Sequence, residues 1–321
     1  MRATMAIVLV SAVVLPARTA SGDVAPAPSR TPFTSTRPGE VVVPVTIGGH
    51  GPFRFLLDTG STHSAVTARV AVVVGAAPVA RTVMRATAGP VTCLVVALPP
   101  LSVGAAAAAG ITATVLPAGA EGVLGTVLDG VLGQDFLARF DFTIDYRRSR
   151  IDWHESGYAA PGIRLTLVHA HDRWLVELPQ PAGSEPSSDP GSEPCSELSS
   201  ELSSEPSSER RADSAHGVEE VHRFVPDSGA DTLVLFEEAR TRCLVAEWHA
   251  GTADLGSLTG TRAVRTATVV GLRVGDTTLE RQTAAIVPAP AADGADGLLP
   301  LHLFARVFFS ARSRALVVQP R

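Results

Sequence analysis

Lysine is missing from the 321 residues, and all 27 basic side chains are arginine. We read this as codon bias rather than as a functional signal. Aromatic residues make up only 5%, so any interior must be built from Val, Leu and Ala, which still fill a close-packed core. There are three cysteines, Cys93, Cys195 and Cys243. An odd count without metal-ligand spacing argues against both a disulfide framework and a cysteine metal site. Cys93 and Cys243 are expected as buried small hydrophobes and Cys195 as an exposed thiol. A basic stripe is also absent. Net charge is −5, but seven acids fall between Ser184 and Glu209 with no base among them, leaving about +2 for the rest. That distribution argues against a nucleic-acid or anionic-membrane partner.

Arg2, the apolar stretch Met5–Pro16 and the small residues through Ala20-Ser21-Gly22 follow the order of a secretory signal peptide. The stretch is shorter than the ~20 residues of a membrane-spanning helix. Residues 1–22 are therefore expected to direct export, with an N-terminal anchor as the alternative if they stay uncleaved. Residues 23–39, rich in Pro, Ser and Thr, are expected as a flexible lead-in. Ala105–Ala109, flanked by Gly, is expected as a turn or short insert.

The strongest signal is a repeated turn. Asp58-Thr59-Gly60-Ser61 closes an apolar run, and Asp227-Ser228-Gly229-Ala230 recurs 169 positions later. The flanks repeat too. Leu101-Ser102-Val103-Gly104 matches Leu272-Arg273-Val274-Gly275. Asp129-Gly130-Val131-Leu132 matches Asp296-Gly297-Leu298-Leu299, and Ala138-Arg139 matches Ala305-Arg306. An offset held near 170 over several motifs means that one unit occurs twice. Val41–Ile47 and Phe53–Leu57 are expected as strands that deliver Asp58 to a strand end. Phe140–Tyr146 and Arg150–Trp153 are expected as a closing hairpin, with Arg147-Arg148-Ser149-Arg150 as its solvated tip. Between Ser184 and Glu209 an acid recurs every fourth residue among Ser and Pro, which leaves little to bury; the insertion 182–217 is expected to be disordered.

The residues Phe53–Ser64, Gly130–Leu137 and Asp227–Asp231 resemble the pepsin and retropepsin-like aspartic protease family, bacterial type. The resemblance implies an all-β fold of two pseudo-symmetric lobes in one chain, each a small closed β-barrel with a short helix. Lobe one would span 40–157, and lobe two 163–321 interrupted by 182–217. It further implies an exported aspartic endopeptidase with a polypeptide substrate and no metal or organic cofactor. Asp58 and Asp227 would be the catalytic pair. Thr59 and Ser228 would cross-link the turns, and Gly60 and Gly229 would admit the substrate backbone. The Ser61 hydroxyl would hydrogen-bond Asp58. Asp231 would contact substrate or an arginine, and Gly89 and Gly256 would mark mobile flaps. One chain supplies both carboxylates, so a monomer suffices.

Two departures stand out. Pro300 replaces the glycine found at Gly133, and Pro226 precedes Asp227 in a strand that needs donors. They raise the alternative of a catalytically degenerate peptide-binding protein; a purely structural domain pair is a further reading. His63 reads as a structural loop residue, and His169-Ala170-His171 lacks a third ligand. Ser61 and Ser64 lack the surroundings of a serine nucleophile.

Overall fold

Strands with one face toward solvent alternate in burial, whereas strands at the junction such as Asp141–Asp145 are buried throughout. In Val42–Ile47, Val43, Val45 and Ile47 point inward while Pro44 and Thr46 face solvent. The computed structural model describes residues 29–35, 37–86, 89–117, 128–170, 172–181, 219–257, 260–288 and 294–321. The expected signal peptide, part of the lead-in and the 182–217 insertion lie outside these residues.

The first half carries β1 (Arg30–Pro32), β2 (Val42–Ile47), β3 (His50–Leu57), β4 (Ala65–Val66), α1 (Ala68–Val73), β5 (Ala77–Ala86) and β6 (Gly89–Ala97). It continues through β7 (Leu101–Val103), β8 (Ala106–Ala108), β9 (Thr112–Val115), β10 (Gly130–Leu132), α2 (Gln134–Leu137), β11 (Asp141–Asp145) and β12 (Arg150–His154). The second half carries β13 (Ile163–Ala170), β14 (Arg173–Pro181), β15 (Glu219–Asp227), β16 (Leu233–Glu237), α3 (Ala239–Arg242), β17 (Val245–Ser257) and β18 (Gly260–Val274). It ends with β19 (Thr277–Pro288), β20 (Gly297–Pro300), β21 (Arg306–Ser310) and β22 (Ala315–Gln319).

The architecture is mainly β and two-lobed. One nine-stranded sheet runs β5-β6-β9-β4-β10-β3-β2-β7-β8; a thirteen-stranded sheet runs β1-β12-β11-β21-β22-β13-β14-β15-β20-β16-β19-β18-β17. The internal repeat is visible in the register. β10 lies parallel to β3 with Gly130 against Phe55, and β20 lies parallel to β15 with Gly297 against Phe224. β10 also runs antiparallel to β4 (Gly130 with Val66), as β20 does to β16 (Gly297 with Leu235).

The lobes meet at a strand seam. β11 pairs antiparallel with β21, so the hairpin β11–β12 joins a sheet shared by both halves. Phe142 stacks on Phe309 across this seam at 5.5 Å, and a single hydrophobic cluster passes through both lobes. Asp145, fully buried, takes Arg148 at 3.2 Å and Arg306 at 3.3 Å. Arg150 contacts Asp152 at 3.0 Å. The expected solvated arginine tip is thus corrected: two of its arginines compensate acids that the seam buries, because an unpaired buried carboxylate is costly.

Three further details differ from expectation. Ala106–Ala108 is not an insert but strand β8, hydrogen-bonded to β7. Cys93 is buried as expected, whereas Cys243 is half-buried and disulfide-bonded instead of being a buried thiol. Pro300 does not tilt its segment away, since it pairs with Asp227 at the end of β20 and opens the 3-10 turn Leu301–Leu303. Its missing N–H falls where the strand is ending, so no ladder donor is lost inside the strand.

The glycines of the repeated Asp-Gly pair are fixed by close approach. A Cβ on Gly297 would lie 1.9 Å from the Val234 carbonyl oxygen, and one on Gly130 would lie 2.4 Å from that of Ala65. Gly297→Ala is expected to destabilise the fold by about 1–3 kcal/mol through overpacking, read as a lower denaturant midpoint.

Candidate active site

β3 and β15 each end in a sharp turn that carries an aspartate, Asp58 or Asp227, at the junction between the lobes. The turns grip each other reciprocally. The Thr59 amide donates to Ser228 Oγ at 3.0 Å, and the Ser228 amide donates to Thr59 Oγ1 at 2.9 Å. Each hydroxyl then donates to the strand opposite: Thr59 Oγ1 to the Pro226 carbonyl and Ser228 Oγ to the Leu57 carbonyl, both at 2.7 Å. Both side chains are buried, so every donor and acceptor in this cross-link is satisfied away from water.

The grip sets the two carboxyl groups within hydrogen-bonding reach of each other. Oδ1 of Asp58 accepts from the amides of Gly60 (2.9 Å) and Ser61 (3.0 Å). Oδ1 of Asp227 accepts from Gly229 (2.7 Å) and Ala230 (3.1 Å). Each glycine passes under the opposite carboxyl: a Cβ on Gly60 would lie 2.6 Å from Asp227 Cγ, and one on Gly229 would lie 3.0 Å from Asp58 Cγ. Ser61 therefore acts through its amide. Its hydroxyl donates instead to the His63 carbonyl at 2.9 Å, correcting the expected contact with Asp58. This is also why Ala230 serves equally well in lobe two.

Burial raises the pKa of Asp58 well above the ordinary carboxylate value, and the neighbouring charge of Asp227 adds to this. Burial also raises Asp227, opposed by the Gly229 amide and the hydrogen bond with Asp58. Two carboxyls this close do not readily both ionise, so the pair retains a proton above the usual carboxylate range.

A second tier, missed in the sequence, supports the turn of lobe one and, farther back, the strands that carry both aspartates. Gln134 Nε2 donates to the Thr59 carbonyl at 2.7 Å, and its amide donates to that of Ser61 at 2.9 Å. Asp129 accepts from the Arg54 amide at 2.8 Å and pairs with Arg69; Asp296 accepts from the Arg223 amide at 2.7 Å and pairs with Arg240 at 2.6 Å. The repeated Asp-Gly was visible, and Arg54/Arg223 and Arg69/Arg240 recur near the same offset. That recurrence was the available signal.

The pair opens into a cavity of about 630 Å³ with apolar walls that include Leu56, Phe236, Leu255, Val264, Ala285 and Leu298. Asp231 lines it as well. Gly89 pairs with Ala86 and Gly256 with Thr261, so both expected flap glycines stand next to hairpin tips. Leu255, beside Gly256, reaches the cavity wall. His63 is exposed and bonds Thr62, away from the carboxyls.

A family model described as aspartyl protease matches the chain twice, over residues 43–136 and 211–302. The chain belongs to this aspartyl protease family. Its two matches fall one on each lobe and contain Asp58 and Asp227 respectively. Among solved structures, an aspartic proteinase from Irpex lacteus aligns at 9% identity and a TM-score of 0.47, covering 90% of this chain and 97% of the other. No curated protein matches.

Two outcomes follow for this family member. Ser228→Ala removes the partners of the buried Thr59 amide and Leu57 carbonyl and is expected to cost about 1–3 kcal/mol, measured by urea unfolding. Asp58→Asn should stabilise the protein more at pH 7 than at pH 4. A carboxyl whose folded pKa is raised binds protons more tightly when folded, so stability is lost as pH climbs from the ordinary value of 3.8 through the raised one. Thermal melts at the two pH values measure the difference.

Proposed function

We propose that this protein is an aspartic endopeptidase that uses water held between Asp58 and Asp227 to hydrolyse polypeptides. The single observation behind this reading is the contact between two carboxyls, each cradled by two backbone amides, on the floor of a cavity large enough for peptide side chains.

One carboxyl is ionised and the other protonated. The ionised carboxylate takes a proton from water as the water oxygen bonds to the scissile carbonyl carbon. The protonated carboxyl donates to the developing oxyanion, and a proton then passes to the leaving amine as the C–N bond breaks. The amides at Gly60, Ser61, Gly229 and Ala230 fix each Oδ1, and among the described residues no backbone donor reaches the other oxygen of either group, which is able to hold water or substrate. The apolar walls exclude solvent and strengthen these interactions.

Both carboxylates come from one chain, which supports action as a monomer. The sequence of residues 1–22 supports export, with polypeptides outside the cytoplasm as substrates. No helix among the described residues is long and apolar enough to cross a membrane.

Purified protein should cleave acid-denatured haemoglobin at mildly acid pH. Asp58→Asn and Asp227→Asn should each lower kcat by at least about 1,000-fold. Activity should fall in acid as the pair takes its second proton, and fall again above the ordinary carboxylate range as it loses its last. Peptide binding without turnover at any pH would instead indicate a binding protein. Full activity in Asp227→Asn would remove lobe two from the reaction.

A further inference from the structure

Ahead of β2 the chain makes a turn that its own sequence dictates. Arg37-Pro38-Gly39-Glu40 carries proline at the second position, where a fixed φ is wanted, and glycine at the third, where φ is +86°. The Glu40 amide donates to the Arg37 carbonyl at 3.3 Å, and Ser35 Oγ donates to the Glu40 carbonyl. The turn lodges between the lobes. On one side Val41, the next residue, accepts at its carbonyl from the Leu57 amide at 2.8 Å, one position before Asp58. On the other, a Cβ on Gly39 would lie 2.5 Å from His302 Nδ1 and 3.1 Å from the Ala230 carbonyl oxygen, so the turn presses on the loop that carries Asp227. Arg37, Pro38 and Glu40 thereby form part of the wall of the cavity that the two aspartates share.

Arg37 is the single basic residue on that wall; beyond the aspartate pair, the other charged members are Glu40, Asp231 and Asp254. It is half-buried, yet among the described residues its guanidinium makes no hydrogen bond and no ion pair. Other partly buried arginines, Arg150, Arg240 and Arg306, each hold a carboxylate. Glu40 is buried and engaged elsewhere, while Asp231 and Asp254 stand exposed, where solvent screens them. A guanidinium drawn partly out of water without a partner loses hydration with no return inside the chain. We propose that Arg37 is a substrate-binding residue that selects polypeptides with a carboxylate a few residues from the bond to be cleaved. This rests on the peptidase reading and deepens it by naming a class of substrate. The carboxylate is either an aspartate or glutamate side chain or the free C-terminus, since the planar fork of an arginine receives both through two parallel N–H bonds.

The rest of the cavity leaves this selection to Arg37. Val234, Phe236, Leu255, Val264 and Leu298 take side chains by burial, which ranks them by size and not by charge. An extended peptide advances about 3.3 Å per residue. The turn touches lobe two at Ala230, three positions beyond Asp227, so a group that reaches Arg37 belongs to a neighbour of the residue being cut. The clamped backbone matters as well. With proline fixing one end of the turn and Gly39 wedged against His302 and Ala230, only the arginine side chain remains to be ordered when a substrate arrives, which keeps the entropic cost of the contact low.

Peptides with a central Leu-Leu pair test this, with glutamate or glutamine scanned through the flanking positions and the C-terminus either free or amidated. At about pH 5.5, where glutamate side chains are mostly ionised, the best carboxylate peptide should exceed its uncharged twin about ten-fold in kcat/KM, with the gain in KM. Arg37→Gln should bring that ratio close to one, and Arg37→Glu should turn it in favour of a lysine peptide. Added salt should shrink the ratio in the unmodified protein, a readout that needs no variant. Loss of the advantage on amidation identifies the C-terminus as the group bound; loss on exchanging glutamate for glutamine identifies a side chain. Equal rates on both twins by the unmodified protein, or an advantage that survives in Arg37→Gln, would overturn the proposal. Calorimetry of the same peptides on Asp58→Asn protein, with and without Arg37→Gln, reads the preference apart from turnover. If nothing is cleaved while binding still prefers a carboxylate through Arg37, the peptidase reading alone falls.

Discussion

Everything in the site depends on the exchange of hydrogen bonds between Thr59 and Ser228. Each hydroxyl accepts from the amide of the other turn and donates to a carbonyl of the other lobe. Neither lobe can satisfy these buried groups alone, since the partners stand 167 to 171 positions away in the chain. Docking of the lobes and placement of the carboxyls are consequently one event. A small rotation at the seam would orphan several buried polar groups at once, and the cost of that resists drift in the distance between Asp58 and Asp227.

The tension in such a site is that two acids are held where neither is well solvated. Backbone amides relieve part of it by binding one oxygen of each carboxyl. The remainder is stored as raised proton affinity, which is what the proposed exchange of protons with a substrate would draw on. The deeper supports follow the same logic. Four residues back along each strand, Asp129 and Asp296 each take an amide and a guanidinium, so these acids are charge-balanced while the Asp58–Asp227 pair is not.

Much of this could be read from the chain. The offset of Asp58 and Asp227, the matching Asp-Gly-aliphatic segments and the strand ahead of each turn were legible because they are local and repeat. The role of Ser61 was misjudged: sequence names a hydroxyl, but only the turn geometry shows that the amide reaches the carboxylate and the hydroxyl turns to His63. Gln134 was invisible because its partner, the Thr59 carbonyl, is a backbone atom 75 positions distant. Arg148 and Arg150 looked solvated because the acids they neutralise become buried only when β11 pairs with β21. The disulfide at Cys243 escaped a reading based on an odd cysteine count.

Joining both halves in one polypeptide removes a restriction that binds any assembly of identical subunits. Two copies of a single lobe would place the same residues on both sides of the cleft, and symmetry would forbid any built-in difference between them. With the halves encoded separately, as Gly133 in one and Pro300 in the other show, either side of the cleft can change without its counterpart following.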